Sequence, residues 1–146
     1  MHVYKKYFKS NPRNEMKNVL FNKLIGEGYN FFCGVPDSGL KEFQNSIIES
    51  NFKNVIATNE GQAVGIAVGA MMTGLKPCVY MQNSGLGNAI NPLTSLCAPF
   101  NLNPLLVIGH RHTLPQHKIM GKVDEDLLDL IGYKNYILIK GDNNEN

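Results

Sequence analysis

The strongest constraint on this chain is the alternation of short, unbroken apolar runs with segments of helical period. The runs "NFFCGV", "NVIAT", "PCVYMQ", "PLLVIGH" and "NYILIK" do not alternate apolar with polar residues. A strand with one wet face does alternate, because successive side chains point to opposite sides. A strand buried on both faces does not. Between the runs lie "NEMKNVLFNKLIGEG", with Met16, Val19, Leu20 and Leu24 on one helical face, and "PDSGLKEFQNSIIES", with Leu40, Phe43 and Ile47 at helical spacing. "EGQAVGIAVGAMMTG", stopped by Gly74, "LGNAINPLTSLC", with Pro92 at a first turn or kink, and "KVDEDLLDLIG", ending at Gly132, complete the set. The pattern predicts an α/β domain of three layers, α/β/α, around a mainly parallel sheet of about six strands. We place it at residues 14–140, after a basic, aromatic arm at 1–13 and before a polar tail at 141–146.

In sheets of this kind ligands bind beyond the carboxyl ends of the strands. The loops in that position are "GVPDSG", "TNEGQ", "QNSGLGN" and "GHRHTLPQH". A net charge of +2 is too small to argue for nucleic acid or a membrane surface. No apolar run approaches the 18 or so residues of a membrane span. The chain reads as cytoplasmic, with no nucleic-acid or membrane partner. Cys33, Cys78 and Cys97 form no CxxC pair; Cys33 and Cys78 sit in apolar runs and read as small buried hydrophobes.

Glu60 is a lone acid at the mouth of a segment of small and apolar residues, Gly61 to Ala70. It suits a helix N-terminus, where the macrodipole favours negative charge. It equally suits proton exchange with a bound heterocycle, since Gly61, Ala63, Gly65, Ala67 and Gly69 let a flat ring or another backbone approach. "QNSGLGN" is a tight strand-to-helix turn; Gly85-Leu86-Gly87 lacks the third glycine of a dinucleotide fingerprint. Asp37 or Ser38 is placed to cap the following helix.

Taken together, "GVPDS", "NEGQAVGIAVGA" and "VYMQNSGLGNAINPL" resemble the pyrimidine-binding domain of thiamine-diphosphate enzymes, nearest to the phosphonopyruvate and sulfopyruvate decarboxylases. The likeness runs from Gly34 to Gly132. It implies that Glu60 hydrogen-bonds N1′ of the cofactor's aminopyrimidine. It implies that Pro36, Asn83, Ser84, Gly85, Leu86 and Asn88 border the cofactor. It also implies that Asp37 and His117 face the reacting centre and assist proton transfer or substrate positioning; Ser38, Arg111 and His112, in the same post-strand loops, are further substrate-side candidates. Arg111 carries the planar fork that suits a phosphonate or sulfonate.

His110 and His112 flank Arg111 where the resembling enzymes have an aromatic or serine before the arginine and a glycine after it, so their roles are open. Read with His117 they form a loose histidine cluster; without a supporting carboxylate or cysteine, no resident metal is expected on this chain. The "GDG…N" segment that holds Mg²⁺ and the diphosphate in such enzymes does not occur here, and "GDNNEN" lacks its second glycine. The resemblance therefore implies a β subunit that supplies the diphosphate half and Mg²⁺, with thiamine diphosphate shared between chains and homo-association of this one. The expected activity is decarboxylation of a three-carbon 2-oxo acid with a terminal anion, phosphonopyruvate or sulfopyruvate, as the α subunit of a two-component enzyme. The alternatives are an acetolactate-synthase type carboligase subunit, or a non-catalytic regulatory or ligand-binding chain of the same fold.

Overall fold

The structure, a computed structural model, describes residues 4–9 and 16–140. In chain order the elements are β1 (Tyr4–Lys9), α1 (Met16–Gly26), β2 (Phe31–Gly34), α2 (Lys41–Ile48), β3 (Lys53–Ile56), α3 (Glu60–Met72), β4 (Pro77–Gln82), α4 (Leu86–Pro92), β5 (Leu105–His110), α5 (Met120–Leu130) and β6 (Asn135–Lys140). The strands form one parallel sheet in the order β1-β6-β5-β4-β2-β3.

Two apolar clusters cover the two faces. One joins α3, α4 and α5 to the sheet through Ala63, Val64, Ala67, Leu86, Ala89, Leu128, Val79, Met81 and Ile108. The other joins α1 and α2 to it through Leu20, Leu24, Phe43, Ile47, Phe32, Tyr80 and Val107. The sheet is thus the middle of three layers, and β2, β4 and β5 are almost wholly buried, as unbroken apolar runs require. Each fully buried side chain such as Leu86 or Ile108 stabilises the fold by about 1.5–3 kcal/mol.

The edges follow different rules. β3 is an edge strand, and its Ile56 is largely exposed, because only one neighbour covers it. Tyr4–Lys9, which the sequence places in an N-terminal arm, pairs in parallel with β6 as the opposite edge. Three lysines fall in that stretch, Lys5, Lys6 and Lys9. Charge of this kind is common on edge strands, where it discourages pairing with another chain. The tail at 141–146 lies outside the described residues.

The chain reverses direction between β2 and β4. From β2 it moves outward to β3, then returns across β2 to β4 and continues to β5 and β6. That reversal opens a crevice at the carboxyl ends of neighbouring strands. Gly34 lets the two strands close there: a Cβ on it would fall 2.0 Å from the Tyr80 carbonyl oxygen. Pro92 sits at the end of α4 with no N–H to donate. The chain continues through a wide π turn, Leu93–Cys97, in which the Ala98 amide donates to the Leu93 carbonyl at 3.1 Å.

Candidate active site

The N-terminus of α3 is set by Asn59, whose Oδ1 accepts from the Gln62 amide at 2.9 Å, while Gln62 Oε1 accepts from the Thr58 amide at 2.7 Å. This reciprocal cap fixes the first turn and so the root of Glu60. The Glu60 side chain is buried against the turn that follows β4. Asn88 Nδ2 donates to its Oε2 at 2.8 Å, the one side-chain hydrogen bond it makes among the described residues. Gly85 leaves the room this carboxyl occupies, since a Cβ there would lie 2.3 Å from it. Gly61 does the same for the backbone: its missing Cβ would meet the Asn88 carbonyl oxygen at 2.8 Å. Two glycines therefore bring α3 and α4 close enough for Asn88 to hold Glu60. Oε2 is engaged by Asn88, and Oε1 lies against Gly85, where a Cβ would fall 2.3 Å from it.

A second group lies across the crevice. Asp37, buried, accepts from Arg111 Nη2 on Oδ1 at 3.1 Å, and the same nitrogen reaches Ser38 Oγ. Asp37 Oδ2 is buried with no hydrogen-bond partner among the described residues. Glycines wall it in, because Cβ atoms at Gly109 and Gly39 would fall 2.5 and 2.8 Å from it. The capping role open to Asp37 in the sequence is not what the fold selects. It stands at the N-cap of the short turn Ser38–Leu40 but makes no side-chain cap bond, because its carboxylate is turned toward Arg111.

The turn Asn83–Gly85 links the two groups. Gly85 packs on Glu60, while fully buried Asn83 points the other way, donating from Nδ2 to the Arg111 carbonyl at 2.9 Å and to Asp124 Oδ2 at 2.9 Å. Asn83 Oδ1 accepts from the Arg111 amide at 3.3 Å. Asp124 also accepts from His110 Nδ1 at 2.6 Å. His112, exposed, stacks its ring on His110 with centroids 4.9 Å apart. His117 Nδ1 lies 3.0 Å from Gln82 Nε2 at the end of β4. With that amide as donor, Nδ1 accepts and the ring proton resides on Nε2.

Of the residues singled out in sequence, the fold brings Glu60, Gly85 and Asn88 together on one side of this turn, and Asp37, Ser38 and Arg111 together across from Asn83. Ser84 and Pro36 are exposed at the crevice mouth, and Leu86 is fully buried in the core beneath it. Asp124 and the contact between Gln82 and His117 were not read from the sequence. Asp124 was visible only as a polar residue one helical turn before buried Leu128. Among the described residues no three His, Cys, Asp or Glu side chains come together as a metal set. Likewise no helix there is long and apolar enough to cross a membrane. Burial pushes the Cys33 thiol up to about 12 and the Cys97 thiol up to about 11, away from the thiolate form that a nucleophile needs.

A buried carboxyl held by one amide, in a cradle kept open by glycine, has the chemistry to exchange a proton with a heteroaromatic nitrogen. Comparison with known proteins bears on the family of the chain. Residues 14–131 match the family described as thiamine pyrophosphate enzyme, N-terminal TPP binding domain. The chain is 39% identical over 123 residues to the sulfopyruvate decarboxylase subunit alpha of Methanocaldococcus jannaschii, covering 81% of this chain and 73% of that one. It is 39% identical over 113 residues to the phosphonopyruvate decarboxylase of Streptomyces viridochromogenes, covering 73% of this chain and 28% of that longer protein. In fold it is similar to the 2-oxoglutarate:ferredoxin oxidoreductase of Magnetococcus marinus, with a TM-score of 0.57 at 15% identity, over 85% of this chain and 28% of that one. The chain belongs to the thiamine pyrophosphate enzymes, as their N-terminal TPP-binding domain.

Proposed function

We propose that this chain is the pyrimidine-binding α subunit of a cytoplasmic, two-component 2-oxo acid decarboxylase acting on sulfopyruvate or phosphonopyruvate. The observation that carries the reading is the Glu60 carboxyl, anchored by Asn88 on one oxygen and kept clear by Gly85 on the other side. Relatives named as alpha subunits support a β partner, which in this reading supplies the diphosphate-binding half and Mg²⁺. When bound, thiamine diphosphate supplies a nucleophilic carbon and the electron sink for loss of carbon dioxide.

This chain's residues have distinct tasks. Glu60 offers its carboxyl to the pyrimidine nitrogen and holds a proton there. Pro36, Ser84, Gly85 and Asn88 shape the cleft in which the ring lies, while Asn83 and Leu86 support the turn from beneath. Arg111, held by Asp37 and Ser38, presents a planar cation to the substrate's terminal anion. His117, its Nδ1 tied to Gln82, offers Nε2–H as a proton donor, and His112 borders the same loop. The outer face of α3 serves subunit packing, because Gly65 and Gly69 leave open space there beside exposed Met72.

The test is reconstitution with the partner chain. The complex, and not this chain alone, is expected to retain thiamine diphosphate with Mg²⁺ and to release carbon dioxide from sulfopyruvate or phosphonopyruvate. Glu60→Gln is expected to abolish turnover with the fold intact. Near-normal turnover in that variant would overturn the reading; a carbon–carbon coupled product would reassign it to a carboligase, and a metabolite-binding chain without turnover to a regulatory module.

A further inference from the structure

Asp124 lies on the inner face of α5 and is 2% exposed. It gathers three donors: His110 Nδ1 at 2.6 Å and Asn83 Nδ2 at 2.9 Å on Oδ2, and the Glu125 amide at 2.8 Å on Oδ1. An ionised carboxylate only accepts, so the ring proton of His110 must sit on Nδ1. Its Nε2 makes no hydrogen bond among the described residues. The same carboxylate orients the Asn83 amide, which grips the Arg111 peptide by both its polar groups. Gly121, at the start of α5, closes on that peptide too: a Cβ there would meet the Arg111 carbonyl oxygen at 2.5 Å. The surrounding charges are paired elsewhere, Glu125 with Lys140 beside His110 in the sheet, and Arg111 with Asp37.

We propose that Asp124 is a positioning residue for the substrate edge of the site. It fixes His110 in the tautomer protonated on Nδ1 and, through Asn83, fixes the backbone from which the Arg111 guanidinium reaches the substrate's terminal anion. The proposal rests on the decarboxylase reading for its substrate arm, whereas its tautomer arm stands on this chain alone.

The first measurement is ¹⁵N NMR of the histidine rings in the isolated chain, followed with rising pH until the rings are neutral. The His110 signals are assigned by their loss in His110→Asn. The wild-type ring is expected as the Nδ1–H tautomer, the minor one for histidine free in water, and Asp124→Asn is expected to switch it to Nε2–H. A wild-type ring protonated on Nε2, or a tautomer indifferent to Asp124→Asn, would overturn the proposal without touching the decarboxylase reading.

The second measurement uses the complex with the partner chain. Asp124→Asn is expected to raise KM for sulfopyruvate about tenfold while thiamine diphosphate affinity and kcat stay within threefold, a split that general loosening would not give. His110→Asn keeps a donor facing Asp124, and its KM is expected to stay within threefold of wild type. A tenfold rise in His110→Asn would transfer the role to the imidazole and defeat the positional assignment, whether or not Asp124→Asn folds. A wild-type complex inactive on both 2-oxo acids would sink the decarboxylase reading and the substrate arm with it, leaving the tautomer arm to decide Asp124's hold on His110.

Discussion

Asn88 Nδ2 and Glu60 Oε2 meet at 2.8 Å although 28 residues separate them in sequence. This bond ties one of the two Glu60 carboxyl oxygens to α4. Hydrogen bonds to charged groups are worth about 1.5–3 kcal/mol, so Asn88→Ala should weaken thiamine diphosphate binding or turnover in the complex by roughly tenfold to a hundredfold. Asn88→Asp should do more harm, because two facing carboxyls cannot both ionise freely. Cofactor titration and kcat measured on both variants check this; wild-type values in Asn88→Ala would mean that Glu60 is held by something else.

Gly85 and Gly65 make an opposed pair. A methyl at 85 has to displace Glu60, while a methyl at 65 meets nothing within 4 Å in this chain. Gly85→Ala should therefore cost about 1–3 kcal/mol of stability and abolish cofactor binding in the complex. Gly65→Ala should stabilise the isolated chain by up to about 1 kcal/mol, as alanine does inside a helix. Urea unfolding of the two variants, read beside cofactor binding, separates a cradle from an ordinary helical position.

Arg111 is held sideways by Asp37 and Ser38, so its planar geometry matters as much as its charge. Arg111→Lys keeps the charge but loses the fork, and Asp37→Asn keeps the shape but loses the counter-charge. Both should raise KM for a 2-oxo acid bearing a terminal anion, Arg111→Lys by roughly tenfold or more. Cofactor affinity should hold in both. A loss of cofactor binding in Arg111→Lys would mean that the guanidinium serves the coenzyme and not the substrate.

What could be read in advance divides along physical lines. Runs such as "PCVYMQ" and "PLLVIGH" announce strands buried on both faces, so the layers were legible, and so was the place of Glu60 at the start of a helix that follows a strand. The partner of Asp37 was not, because the sequence leaves open both a cap and a place beside the reacting centre and does not show the ion pair with Arg111. Arg111 is 74 residues away, a separation that no local pattern spans. Asp124 hides among Glu125, Asp126 and Asp129 on a helix whose exposed face needs acids for solubility. Tyr4–Lys9 looks like a loose arm because its three lysines break the apolar run by which the other strands are recognised, and only its pairing with β6 reveals it as a strand.

The buried thiols and phenols make the fold sensitive to base. Burial raises Cys33 to about 12 from 9.0, Cys97 to about 11 from 9.0, and Tyr80 to about 12 from 10.0. In the unfolded chain these groups lose their protons near the lower values, whereas the folded chain keeps them. Above pH 9 the folded state therefore binds more protons, and raising the pH favours unfolding, by up to about 1.4 kcal/mol per pH unit for each such group. Stability from these groups should be fully present below pH 9, fall between pH 9 and 12, and change no further beyond. Cys33→Ala should flatten that fall by one group's share, although the lost packing lowers stability at every pH. Urea midpoints at pH 8, 9.5 and 10.5 for wild type and Cys33→Ala test the point, and identical slopes in the two proteins would mean that the Cys33 thiol ionises without opening the core.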